Sequence, residues 1–200
     1  MPTTLADVRD RIRKDLRDTD IPTYRWSDVQ LDRHIDHALS EVSAALPQEL
    51  SATVATTAGS RDLSLTALTT LIAVEAVEYP VGSYPPAYIG FGVWAATLSL
   101  HLDTAPAGGN ARLLYVARHT LDGAGTTLSA FQVDVLVTGA TAYAALEQSV
   151  YVVDRITSNS AAQERFAAYG RARLTAFQQL LHAYGRRNRV RGRRAFTPAS

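Results

Sequence analysis

The sequence predicts an α+β fold: a bundle of about four helices, two N-terminal and two forming a long C-terminal hairpin, with a small antiparallel β region inserted between the pairs and a basic arm extending from the end. Three observations predict it. Apolar residues recur every three or four positions near the N-terminus and again after residue 127, they alternate in between, and Pro, Gly and Ser cluster where the period changes. At 200 residues and 46% hydrophobic content, the chain has the material for a real core.

The first helix starts at Thr4, where Thr4 and Asp7 resemble a capping box. Leu5, Val8, Ile12 and Leu16 form its apolar stripe. Arg9, Arg11, Arg13 and Lys14, interleaved with Asp7, Asp10 and Asp15, read as a solvated, salt-bridged face. Ile21-Pro22 marks a point beyond its end. The second helix start is the most strongly specified in the chain. Ser27 is the N-cap, Gln30 returns its hydrogen bond, and Trp26 at N′ faces Leu31 at N4, so a capping box and a hydrophobic staple coincide. Leu31, Ile35, Ala38, Leu39, Val42 and Leu46 line one face until Pro47.

From Leu50 the pattern changes to that of strands. Thr-rich segments flank Gly59-Ser60, and Ile72, Val74 and Ala76 alternate with Ala73, Glu75 and Val77. Leu98, Leu100 and Leu102 alternate in "TLSLHL", and after the turn "DTAPAGGN" the run "ARLLYVARHTL" reads as the return strand. Tyr79, Tyr84, Tyr88, Phe91 and Trp94 fall in a Pro- and Gly-rich link and are expected to pack against a sheet too thin to bury itself, in preference to lining a binding loop.

The helical period returns in "TLSAFQVDVLVTGATAYAALEQSVYVVD". Gly139, set among small residues, predicts close approach of a neighbouring helix. After "TSNS", a last helix runs from about Ser160 to Tyr184 with Phe166, Tyr169, Leu174, Phe177, Leu180, Leu181 and Tyr184 near heptad spacing, and Gly185 is its expected C-cap. Gly139, Tyr143, Phe177 and Leu181 are the expected packing residues of this hairpin. The resulting domain reading is 1–49 for the N-terminal pair, 50–122 for the β insertion, 123–185 for the hairpin packed on that pair, and 186–200 for the arm.

Charge is divided unevenly along the chain. Residues 165–200 contain nine arginines and no acidic residue, whereas residues 1–164 hold eleven basic and nineteen acidic side chains, so a net charge of +1 conceals an acidic body with a basic end. Six of those arginines, Arg186, Arg187, Arg189, Arg191, Arg193 and Arg194, lie within nine positions and are followed by Phe196. Such a segment is expected to meet a negative surface, either nucleic acid or acidic protein. The structural role open to Arg186 and Arg187 is interaction with the helix C-terminal dipole.

There is no run of eighteen apolar residues and no signal-peptide pattern at the N-terminus, so no membrane partner and no secretion are expected. The absence of cysteine excludes disulfides, thiolate metal sites and a cysteine nucleophile. Walker, G-x-G-x-x-G, G-x-S-x-G and H-E-x-x-H motifs are missing, so neither catalytic residues nor cofactors are expected. His34 and His37 beside Asp36 have no recognisable third ligand, and Glu75 and Glu78 on a regular strand point to opposite faces, so no metal site or carboxylate pair is assigned.

The helices "LADVRDRIRKDLRD" and "YRWSDVQLDRHIDHALSEV", together with "VLVTGATAYAALEQ", resemble head-to-tail adaptor proteins of tailed bacteriophages, also called connector or head-completion proteins, over about residues 4–46 and 127–185. The resemblance implies a non-catalytic virion protein, made in the host cytoplasm, that forms a homo-oligomeric ring of about twelve copies under the portal protein. Such a ring extends the DNA channel at the capsid–tail junction, offers a platform to a neck or tail protein, and docks on the portal through C-terminal segments. On this reading the arm, Arg186 to Phe196, pairs with acidic portal surface or, nonspecifically, with channel DNA. The β insertion departs from the mostly helical smaller adaptors. A neck or tail-completion ring and a nonspecific nucleic-acid-binding module are the alternative readings.

Overall fold

The computed structural model describes residues 3–153 and 160–189. In chain order it contains α1 (Leu5–Leu16), a 3₁₀ turn (Ile21–Thr23), α2 (Asp28–Ala45), β1 (Gln48–Ala55), β2 (Asp62–Ser64), β3 (Leu71–Glu78), β4 (Tyr88–Ile89), β5 (Phe91–Trp94), β6 (Thr97–Leu100), β7 (Asn110–Ala117), α3 (Ala130–Val153) and α4 (Ser160–Arg189). Four helices and antiparallel sheets make this an α+β fold. The chain divides into a helical unit and a β unit, with crossings at Leu46–Pro47 and Arg118–His119. Among the described residues no helix is long and apolar enough to cross a membrane.

Each of the first three helices of the helical unit starts on a reciprocal cap. Thr4 and Asp7 cap α1, and Ser27 and Gln30 cap α2. In α3 the Ser129 N–H donates to Gln132 Oε1 at 2.8 Å while the Gln132 N–H donates to Ser129 Oγ at 3.3 Å. Two orphan donors are satisfied at each start, which fixes where the helix begins. α3 and α4 are antiparallel, with Phe131 against Tyr184, Gly139 against Phe177 and Leu146 against Gly170. One continuous core joins all four helices: Val8, Ile12 and Leu16 from α1, Leu31, Ile35 and Val42 from α2, Leu136, Ala140 and Ala144 from α3, and Phe177 from α4.

Two expectations for this unit are corrected. Arg13 is not on a solvated face: its side chain is 6% exposed, its Nη1 donates to Asp18 at 2.8 Å and its Nη2 to Asp28 at 2.8 Å, and its guanidinium stacks 3.6 Å from the centroid of Tyr24. The turn after α1 carries Asp18 back against the helix, making a buried ionic knot where linear periodicity shows only an exposed charge. Nor does Gly185 end the last helix, since α4 continues to Arg189. A Cβ at Gly185 would sit 3.3 Å from the Ala45 carbonyl oxygen, so this glycine serves the approach of α4 to the end of α2.

In the β unit, one sheet has the order β1-β7-β3-β4 and the other β2-β6-β5. Leu63, Leu65, Val77, Leu98, Leu100, Ala111 and Leu113 form their shared core. The expected hairpin from the "TLSLHL" strand to its return strand is absent, because β6 pairs with β2 and β5 while β7 pairs with β1 and β3. Leu98 and Leu100 meet Ala111 and Leu113 across the core instead, and the Gly-rich segment between them changes sheets. The alternation expected in β3 is broken by register shifts that leave Ile72 and Glu75 unmatched on β7, so Ile72 is exposed while Ala76, Val77 and Glu78 are buried in succession. Buried Glu78 accepts from Arg112 Nη1 at 2.9 Å and from the Gly82 N–H at 3.1 Å. Of the link aromatics, Tyr79 and Phe91 pack against the core as expected. Tyr84 and Trp94 do not, being 98% and 87% exposed.

Candidate functional site

The capping sequence before α2 places Trp26 between helices. Its ring is 1% exposed, its indole N–H donates to the Ala144 carbonyl at 3.2 Å, and it meets Phe166 edge-on at 6.1 Å. Leu31 is fully buried beside it in the same core, and Ser27 and Gln30 remain at the surface as the cap. Gly139 lies under the Phe177 ring, where a Cβ would come within 2.8 Å of the ring carbons. Tyr143 is one turn along α3, 6.4 Å from Phe177 and edge-on to it, and Leu181 packs on the rim of the same core. Trp26, Ser27, Gln30 and Leu31 thus anchor α2, while Gly139, Tyr143, Phe177 and Leu181 share one region of the α3–α4 contact.

The polar side chains around this core form clasps between helices. Arg9 grips Asp32 with two hydrogen bonds of 2.6 Å, which holds its charge more firmly than usual, and Arg11 pairs with Asp134. Arg173 reaches back from α4 to Asp15 at 2.7 Å. His34 Nε2 lies 2.6 Å from Glu147 Oε2, and Arg33 pairs with the other oxygen of that carboxylate. Burial pushes the His34 pKa down despite the carboxylate; burial also opposes ionisation of Glu147, but the bonds from Arg33 and His34 outweigh it and lower its pKa. At neutral pH a neutral imidazole therefore donates to an ionised carboxylate. His37 turns elsewhere, toward Glu41 at 3.1 Å and edge-on to Tyr143, whose hydroxyl also donates to Glu41 at 2.6 Å. Burial, then the hydrogen bond to Glu41, raise the pKa of that phenol. Among the described residues no group of three His, Asp or Glu side chains is placed to hold a metal ion.

One buried polar tie escaped sequence reasoning. His119 opens the second segment of the helical unit, and Leu46 closes the first. The His119 Nε2–H donates to the Leu46 carbonyl at 2.9 Å, Nδ1 accepts from Thr127 Oγ1 at 3.0 Å, and the His119 backbone N–H donates to Ser43 Oγ at 3.1 Å. The two points where the chain leaves and re-enters the unit are thereby tied together. Burial lowers the His119 pKa against those bonds, which keeps the ring neutral. A lone histidine at a segment junction carries no periodic or motif signal.

Arg186, Arg187 and Arg189 fall within α4, and Arg191, Arg193, Arg194 and Phe196 lie outside the described residues. Ile21, Val29 and Val150 are exposed apolar side chains of the helical unit, and Ile72, Val93, Tyr84 and Trp94 are those of the β unit. Trp94 stands at the tip of the β5–β6 hairpin, next to Ala95, which takes a left-handed φ of 50°. Among the described residues, ion pairs link the helices to one another and apolar side chains are left exposed on each unit, while the C-terminal sequence is basic. A family model described as SU10 adaptor protein matches residues 3–198, and no curated protein matches the chain.

Proposed function

The chain belongs to the SU10 adaptor protein family, and on that premise we propose that copies of this bacteriophage structural protein assemble into a ring below the portal. The ring extends the DNA channel and joins the capsid vertex to the neck or tail. The observation that carries this reading is the extent of the family match, which takes in the helices, the β unit and the arginine-rich end alike. The role is structural, without catalysis. The end of the chain, from Arg186 through Phe196, docks on acidic portal surface, supported by the contrast between nine arginines after residue 164 and the acidic body before it. Repetition around a ring turns one modest contact into a strong one. The β unit faces the next neck or tail component, with Tyr84 and Trp94 as aromatic anchors of the kind that dominate interface energies.

The test is mass determination by light scattering of the purified protein, alone and with the portal protein of the same phage, at low and moderate salt. The expected result is a defined ring on the portal. A protein that ignored the portal yet bound any DNA duplex with steep salt dependence would replace this reading with a nucleic-acid module.

A further inference from the structure

β1 is the border strand of the four-stranded sheet. It pairs with β7 over all eight residues without a register shift, from Gln48↔Ala117 to Ala55↔Asn110, and among the described residues no strand pairs with its outer side. The 2.9 Å bond from the Thr56 N–H to the Gly109 carbonyl sets the parity. The amides of Val54, Ala52 and Leu50 point with it into β7, so those of Ala55, Thr53 and Ser51 point away. Exposed borders are usually blunted by proline, charged side chains, bulges, shortness or a covering segment. β1, "QELSATVA", is eight residues long, carries neither proline nor lysine and pairs with β7 without a bulge; Glu49 is its one charged residue.

The opposite border is open as well. β4 covers β3 only at Val77 and Glu78, leaving the outer side of Leu71 to Ala76 without a strand among the described residues, and exposed Ile72 lies on that stretch. Two different open borders on opposite sides of one sheet are the two halves of a head-to-tail contact, which closes into a ring when the rotation fits. β1 meeting β1 would give a two-fold dimer and stop there. β1 and β3 both run antiparallel to β7, so copies related by a small rotation bring them together in parallel. The two bulges of β3 bend its border, as a sheet following a curve requires.

We propose that β1 joins subunits, its outer edge hydrogen-bonding to the β3 border of a second copy of this chain so that the sheets of successive copies run on into one another. The inference rests on the ring reading. Hydrogen exchange followed by mass spectrometry compares the dilute free protein with the ring on portal-bearing heads. The amides of Ser51, Thr53 and Ala55 are expected to slow by about a hundredfold or more on assembly. Thr53→Pro removes one outward donor while leaving the β7 ladder whole, so it should keep the circular dichroism spectrum and lose ring formation, whereas Thr53→Val should keep both. Because the chain has no cysteine, Thr53→Cys with Ala73→Cys and a short thiol cross-linker should give a ladder of trimers and larger species.

A ring whose β1 amides exchange as fast as those of the free protein overturns this inference and leaves the ring reading standing. Protection with no ladder, or with dimers alone, means that something else covers β1 and overturns it too. Failure to form any ring overturns both. If Thr53→Pro does not fold, exchange and cross-linking decide without it.

Discussion

Arg13 is held in place from three sides: by Asp18, with both side chains at most 6% exposed, by Asp28, and by the Tyr24 ring. Desolvating such a pair costs much of what its attraction returns, but removing one member leaves the other buried and uncompensated. Asp18 keeps a 2.9 Å bond from the Arg25 N–H, so Arg13→Ala should cost about 3 kcal/mol, toward the lower end for a broken buried pair. Urea unfolding followed by circular dichroism measures it, and a cost below about 1 kcal/mol would show the pair to be solvated. Gly139 makes the opposite point about space. Alanine there adds helix propensity of about 1 kcal/mol, but its Cβ would overlap the Phe177 ring at 2.8 Å. Overpacking of this kind costs about 1–3 kcal/mol, so Gly139→Ala should destabilise on balance, and adding Phe177→Leu should recover most of the loss. Full stability for Gly139→Ala alone would mean that the ring moves aside freely.

At the scale of elements, the clasps between helices respond to pH. His34 and His119 have pKa values pushed below the ordinary 6.5 by burial. The unfolded chain therefore binds these protons at higher pH than the folded one, and stability present above about pH 6.5 is lost as the pH falls through that value. Asp28, held low first by its bond from Arg13, and Glu147, held low by Arg33 and His34 against burial, add a second loss beginning below their ordinary 3.8 and 4.5. The melting temperature should thus drop between pH 7.5 and 5.5 and fall further in acid, with the first step largely removed in a His34→Asn, His119→Asn double variant. Those clasps also mark where sequence stops being informative. The starts of α1 and α2 and the close approach at Gly139 were legible because a cap or a small residue acts within a few positions or on its own helix face. The cap at Ser129 had the same signal, Ser-x-x-Gln, and could have been read. Which strand pairs with which could not, because Leu98 and Leu100 alternate alike whether their partners lie beside them or across a core. Arg13 and His119 depend on where distant chain returns, so neighbouring residues gave no warning of their burial.

For the whole molecule the unequal division of charge makes a prediction that the extent of α4 sharpens. Because that helix runs to Arg189 and passes close to Ala45 at Gly185, cutting the chain after Tyr184 would remove part of the helical unit along with the arm. Loss of joining in that deletion would confuse unfolding with undocking. Deleting residues 190–200 removes Arg191, Arg193, Arg194 and Phe196 and spares every residue described in the helix. The expected outcome is an unchanged melting temperature and failure to join portal-bearing heads, scored by sedimentation of the assembled particles. Replacing those three arginines by glutamine should weaken joining in the same direction, since what is removed is charge able to pair with carboxylates or phosphates. The nature of the counterpart follows from a salt series on the natural chain. Docking on the portal should persist when DNA is absent, whereas an arm held by phosphates should bind naked duplex, with affinity falling linearly in log salt by about one charge for each arginine engaged. Undiminished joining by the 190–200 deletion would remove the arm from the docking contact and leave the helical and β units to make it.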